Sequence, residues 1–189
     1  MQVTLLPYLP YMMRKIVLIT SLVYSALLSA HAQKMTVIKS PQALPSQTDG
    51  RPKIFLGGSI DMGNTENWQA DLEKTLASQS VVLLNPRRDD WKKEWKSVST
   101  DANFRAQVEW ELAALEAADI IVMYFAPGSQ SPISLLELGL YARTKKLLVV
   151  CPDGFWRKGN VDIVAERYHL DTYPTLAAMS RALQAKLSR

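Results

Sequence analysis

The sequence predicts an open, doubly wound α/β sandwich of about five parallel strands. Three observations predict it. Short, continuously apolar runs recur along the chain, the clearest being Ile120-Ile121-Val122-Met123-Tyr124; such runs suit strands covered on both faces. Segments with helical spacing separate them, which is the alternation that builds a parallel sheet. The chain has 189 residues, of which 48% are hydrophobic and 21% charged. That is enough for one core and too apolar for wholesale disorder.

The N-terminal segment stands apart from this pattern. Arg14 and Lys15 precede an uncharged, mostly apolar run over residues 16–28, and Ala30-His31-Ala32 follows. Positive start, apolar middle and small residues at the end make a secretory signal pattern. The run is shorter than the roughly 20 residues that span a bilayer; an uncleaved anchor is the alternative. Residues 1–32 are therefore read as a signal peptide, with Met13 as a candidate true start. Cleavage after Ala32 implies export to a periplasmic or extracellular space, with no stable membrane insertion afterwards. Without Arg14 and Lys15, the 22 basic side chains fall to 20 against 18 acidic ones, a net charge of +2. That balance excludes nucleic-acid binding driven by charge. Cys151 is the single cysteine, and His31 and His169 are the two histidines. They supply neither a disulfide framework nor a metal cluster, and no metal or cofactor is expected.

Residues 33–52 are polar, carry Pro41, Pro45 and Pro52, and read as a flexible linker. The domain is expected over residues 53–189. Residues 53–57 form a first strand ending in Gly57-Gly58. Asn64 can cap a helix running to about Ser78. Residues 81–84 are a second strand, stopped by Pro86. Residues 102–118 are helical, 119–125 form a third strand, and Ser131-Pro132 opens a helix to about Thr144 as N-cap and first-turn pair. Residues 147–151 are a fourth strand. A weak helix over 161–168, a short strand over 170–173 and a helix from Thr175 complete a flavodoxin- or Rossmann-like order. In such folds ligands bind beyond the carboxyl ends of the strands.

Polar residues in apolar places mark the candidate site. Ile133, Glu137, Leu140, Tyr141 and Thr144 share a helical face by spacing, which sets a carboxylate in an apolar stripe. Burying an unpaired charge is costly; the alternative is a rim position paired with an arginine. Gly139 follows Glu137, where a side chain would block close approach of helix to sheet. Phe104, Val108, Glu111 and Leu115 repeat the pattern, with an edge salt bridge as the alternative for Glu111. Glu109 and Glu116 fall outside that face and read as solvated. The turn Gly57-Gly58-Ser59-Ile60-Asp61 lets the backbone approach a ligand or simply turn sharply. Arg87 and Arg88 sit in a loop at a strand end. Trp91 and Trp95, with Lys92, Lys93 and Lys96, offer a stacking platform or pack that loop down.

The runs Ile54-Phe55-Leu56-Gly57-Gly58-Ser59, Trp110-Glu111 ahead of Ala118-Asp119-Ile120-Ile121-Val122, and Ser131-Pro132-Ile133-Ser134-Leu135-Leu136-Glu137-Leu138-Gly139-Leu140-Tyr141-Ala142 resemble the nucleoside 2-deoxyribosyltransferase-like proteins. The resemblance implies a small-molecule nucleoside or nucleotide substrate and chemistry at its N-glycosidic bond. It implies Glu137 as nucleophile, kept ionised by the helix dipole, with Glu111 contacting the leaving base. It also implies substrate-binding positions at Phe55, Gly57, Gly58, Ser59, Asp61, Arg87 and Ser131, and a homo-oligomer. The sequence departs from the transferases at Phe55, where they carry a tyrosine that orients the nucleophile, and at Ser131, where they carry an acid. Ser59 and Ser131 look more like the related 2-deoxynucleoside 5-phosphate N-hydrolases, in which matching serines bind phosphate. Asp61 stands where those enzymes carry a base. A binding or sensor domain without catalysis, and an enzyme for another glycosyl substrate such as a nicotinamide dinucleotide, are the competing readings.

Overall fold

A computed structural model describes residues 34–60, 66–88, 90–92 and 94–188. Residues 1–32, read above as a signal peptide, lie outside them, as do Asn64, Asp61 and Lys93. Residues 34–188 belong to one compact unit.

Six strands form an all-parallel sheet: β1 (Thr36–Lys39), β2 (Lys53–Gly58), β3 (Val82–Asn85), β4 (Ile120–Tyr124), β5 (Leu147–Val150) and β6 (Asp171–Tyr173). Their spatial order is β1-β3-β2-β4-β5-β6. Among the described residues five helices connect or follow them: α1 (Trp68–Thr75), α2 (Ala102–Ala117), α3 (Pro132–Tyr141), α4 (Lys158–Tyr168) and α5 (Leu176–Leu187).

The strands are apolar throughout because alternate residues enter two different cores. Phe55, Leu84, Ile121, Met123 and Val149 face one side, where they meet Leu115 of α2, Leu138 of α3 and Val161 of α4. Ile54, Leu56, Leu83, Val122 and Leu148 face the other, where they meet Leu72 of α1 and Met179 and Leu183 of α5. The predicted doubly wound sandwich is therefore the fold.

Two expectations are corrected. The sheet has six strands rather than about five, and the extra one lies inside the stretch read as a linker. β1 pairs with β3 from Thr36–Val82 to Lys39–Asn85. Val37 and Ile38 pack into opposite cores. Arg51 fastens the segment, donating through Nη1 to Lys34 O (2.7 Å) and Thr36 Oγ1 (2.8 Å) while paired to Asp49 at 2.7 Å. Second, α3 ends at Tyr141 instead of continuing to Thr144. Thr144 Oγ1 donates back to Tyr141 O at 2.7 Å and closes a turn there.

The strand order reverses between β2 and β4. One connection leaves β2 toward β3 and the other leaves β4 toward β5, so their exits diverge and open a crevice at the carboxyl ends.

Candidate functional site

Gly58 ends β2 with φ +131°, and a Cβ there would lie 2.2 Å from Tyr124 O. Only glycine fits so close to β4. Gly57 is also tight: a Cβ would meet Phe55 Cε1 at 3.0 Å. Directly beyond, Ser59 N donates to Tyr124 O at 2.8 Å, and Trp68 Nε1 donates to Ser59 O at 3.0 Å. The turn is thus fixed to β4 on one side and to α1 on the other.

Ser59 Oγ accepts from Ala126 N at 2.8 Å and lies 2.7 Å from Ser129 Oγ and 2.6 Å from Ser131 Oγ. Ser129 Oγ donates to Ala126 O at 2.8 Å. All three serines are buried. Ser131 was expected to cap α3. It stands at the N-cap position, but in the left-handed region (φ 43°, ψ 49°), and makes no capping bond. Its hydroxyl turns to the serine cluster instead, which ties the start of α3 to the exit of β2.

From that start α3 carries Glu137, which is 7% exposed. The buried face of α3 comprises Ser134, Glu137 and Leu138, continued by Ala142 just beyond its end, with Ile133 and Leu140 largely exposed. The predicted stripe was therefore rotated, with Glu137 on its flank. Gly139 faces outward, and a Cβ there meets nothing within 4 Å; it does not govern the approach of α3 to the sheet. It lines a groove of about 320 Å³ with Leu135, Val161 and Val164, on the opposite flank of α3 from Glu137.

Glu137 has no hydrogen bond or ion pair among the described residues, so the rim pairing with an arginine does not occur there. Burial, reinforced by the nearby charge of Glu111, pushes its carboxyl up to about 8. Burial outweighs the helix dipole there, against the expectation that the dipole keeps the carboxylate ionised. Glu137 is in the second turn of α3, and the dipole acts mainly within the first.

Glu111 is half-buried on α2 and raised by burial, partly countered by a hydrogen bond from Gln107 Nε2 at 2.8 Å. No salt bridge holds it among the described residues. Glu109, by contrast, is exposed and pairs with Arg105 at 3.2 Å. Two carboxyls close enough to interact, in a water-poor setting, share protons unequally. Such a pair can attack through one member and move a proton through the other.

Phe55 is fully buried on the face of the sheet that α2 and α3 cover. Arg87 N donates to Asn85 Oδ1 at 2.9 Å, while its buried Nη1 has no hydrogen-bond partner among the described residues. Arg88 pairs with Asp90 at 2.7 Å and lies 4.8 Å over Trp95. Trp91 and Trp95 meet edge to face at 5.1 Å, which packs the loop and leaves no parallel slot between them. Cys151 is buried and its thiol is pushed up to about 11 by burial. Among the described residues no group of three or more His, Cys, Asp and Glu could hold a metal ion, and no helix is long and apolar enough to cross a membrane.

Sequence reasoning missed Ser129 and Gln107. Ser129 could have been found as the partner of Ser131 in a Ser-Gln-Ser turn at a strand exit. Gln107 stands one helical turn before Glu111, a spacing that brings side chains together.

A family model described as nucleoside 2-deoxyribosyltransferase like matches residues 51–155. No curated protein matches the chain. The matched span runs from just before β2 to just past β5, and it includes the serine cluster, Glu111 and Glu137.

Proposed function

The chain belongs to the nucleoside 2-deoxyribosyltransferase-like family, and from that premise we propose that it is an exported enzyme that cleaves or exchanges the N-glycosidic bond of a (deoxy)nucleoside or nucleotide. One observation carries the reading: Glu137 is a buried carboxyl without a structural partner among the described residues, perturbed by a second carboxyl, Glu111. A charge kept in that setting serves chemistry better than stability.

The ionised Glu137 carboxylate attacks the anomeric carbon. The bond from that carbon to the base nitrogen breaks, and its electron pair leaves with the base. Glu111, in its protonated form, gives the base its proton. A glycosyl ester on Glu137 results. In the second step another base, or water, attacks the same carbon and frees the Glu137 carboxylate. In either case Glu111 takes up the proton that the incoming base or water loses, which restores the pair for the next turnover. Burial and the charge of Glu111 favour the protonated form of Glu137, so productive binding must move that proton to Glu111 or the base. Arg87 supports the nucleotide arm of the proposal, since its spare buried donor suits an anionic group.

A non-catalytic nucleoside- or nucleotide-binding domain is the second reading. Phe55 favours it, because a phenyl ring offers no hydroxyl to orient Glu137. The exposed Ile133, Leu136 and Leu140, on the helix that carries Glu137, support a homo-oligomer. Export rests on the N-terminal pattern alone; N-terminal sequencing of secreted protein should begin at Gln33.

The test uses the wild type and Glu137→Gln, each incubated with deoxynucleosides, ribonucleosides and their 5-phosphates, with and without a second free base. Base release lost in the variant is the expected result. Exchange makes the enzyme a transferase, and release alone a hydrolase. Release that survives Glu137→Gln overturns the reading. Calorimetric binding without release favours the binding domain.

A further inference from the structure

Gln107 is 4% exposed and uses its whole amide. Nε2 donates to Glu111 Oε1 at 2.8 Å and to Pro86 O at 3.0 Å. Oε1 accepts from Ser40 Oγ at 2.5 Å and, more weakly, from Arg88 Nη1 at 3.4 Å. A side-chain amide has two donor hydrogens and one accepting oxygen, so its capacity is filled. Its orientation is fixed as well. Pro86 O can only accept and Arg88 can only donate, so a flipped amide would face both with the wrong atom.

The partners come from three elements. Ser40 leaves β1, Pro86 and Arg88 leave β3, and Glu111 is on α2 with Gln107. Arg88 is itself held, through two 2.7 Å bonds to Asp90 and the face of Trp95. A residue needed only for packing here would carry no amide, because burying one costs free energy unless every group is bonded.

We propose that Gln107 is a positioning residue of this site, holding the Glu111 carboxylate in place through an amide that Ser40, Pro86 and Arg88 lock in one orientation. This rests on the reading of Glu111 and Glu137 given above. It also gives β1 a role at the site, since Ser40 is the first residue beyond that strand. Among the described residues, the charged groups tied to this network are Arg88 with Asp90 from the β3 exit, Glu111 on α2 and Glu137 on α3. With the donor gone, the neutral form of Glu111 is favoured, and less charge bears on Glu137.

The experiment is a carbon-13 NMR titration of the full chain, labelled at the glutamate side-chain carboxyls, with Glu111→Gln and Glu137→Gln to assign the two signals. In Gln107→Leu the Glu111 midpoint should move up and the Glu137 midpoint down. In Ser40→Ala, which keeps the donor but frees the amide, both should move the same ways by less. An unmoved Glu111 midpoint in folded Gln107→Leu overturns the proposal. If Gln107→Leu does not fold, Ser40→Ala decides, and an unmoved midpoint there overturns it. Base release measured alongside should show kcat down about tenfold with KM within about twofold for Gln107→Leu. Release that survives Glu137→Gln would sink the glycosidic reading while leaving the Glu111 midpoint to judge Gln107.

Discussion

The Oγ atoms of Ser59 and Ser131 lie 2.6 Å apart across 72 residues of sequence. They join the exits of β2 and β4 at the point where strand order reverses, and through Ser131 they set where α3 begins.

Ser59 is the centre of that junction, because it alone accepts the buried Ala126 N–H as well as contacting both other hydroxyls. Ser59→Ala leaves that N–H without its acceptor, at a cost of about 1–3 kcal/mol. Ser131→Ala strips no backbone group of a partner among the described residues and should cost less. Urea unfolding of the two variants checks the order; a larger loss in Ser131→Ala would contradict it.

Two glycines give a sharper contrast. At Gly58, alanine would force a strained φ of +131° and set its Cβ 2.2 Å from Tyr124 O. Gly58→Ala should cost more than about 3 kcal/mol or prevent folding. At Gly139, in α3, a Cβ meets nothing within 4 Å. Gly139→Ala should stabilise by roughly 0.5–1 kcal/mol through helix propensity. Thermal melts of both variants test the pair together.

The contrast also marks what the sequence made legible. Continuous apolar strands announced the sheet, because two-sided burial leaves no alternation to misread. Glu111 and Glu137 stood out as acids at helical spacing among apolar residues. β1 stayed hidden, because a four-residue edge strand with Val37 and Ile38 in opposite cores carries little pattern, and Thr36 and Lys39 make it look polar. The direction of α3 was misjudged for a related reason. Its exposed side carries Ile133, Leu136 and Leu140, so apolarity did not tell inside from outside. Ser131 shows a further limit. Its residue type is that of a cap, and the nearby hydroxyls of Ser59 and Ser129 took its hydrogen bond instead.

Phe55 offers a gain-of-function test. It is fully buried on the sheet face that α2 and α3 cover, and the family resemblance puts a tyrosine hydroxyl there to orient the nucleophile. Phe55→Tyr should raise kcat several-fold if Glu137 attacks substrate. The added hydroxyl enters a packed core, so a stability loss of about 1 kcal/mol is expected as well. Lower kcat with intact folding would mean that this site has settled on a different way of orienting Glu137.

Glu137 makes its own prediction through pH. Its carboxyl is raised from 4.5 to about 8 in the folded protein, chiefly by burial and then by Glu111. A raised folded value means that folding favours the protonated form. The contribution is therefore fully present below about 4.5, shrinks as pH rises, and is lost once pH passes about 8. Glu137→Gln removes the ionisable group. The variant should match the wild type near pH 4.5 and grow progressively more stable than it up to pH 8.5, by roughly 4–5 kcal/mol, then level off. The same substitution should abolish base release. Stability gained and turnover lost in one variant is the expected mark of a carboxylate kept in an unfavourable place for its chemistry. Denaturant unfolding across that pH range decides it: a stability difference that does not grow with pH would show that Glu137 ionises freely in the folded protein.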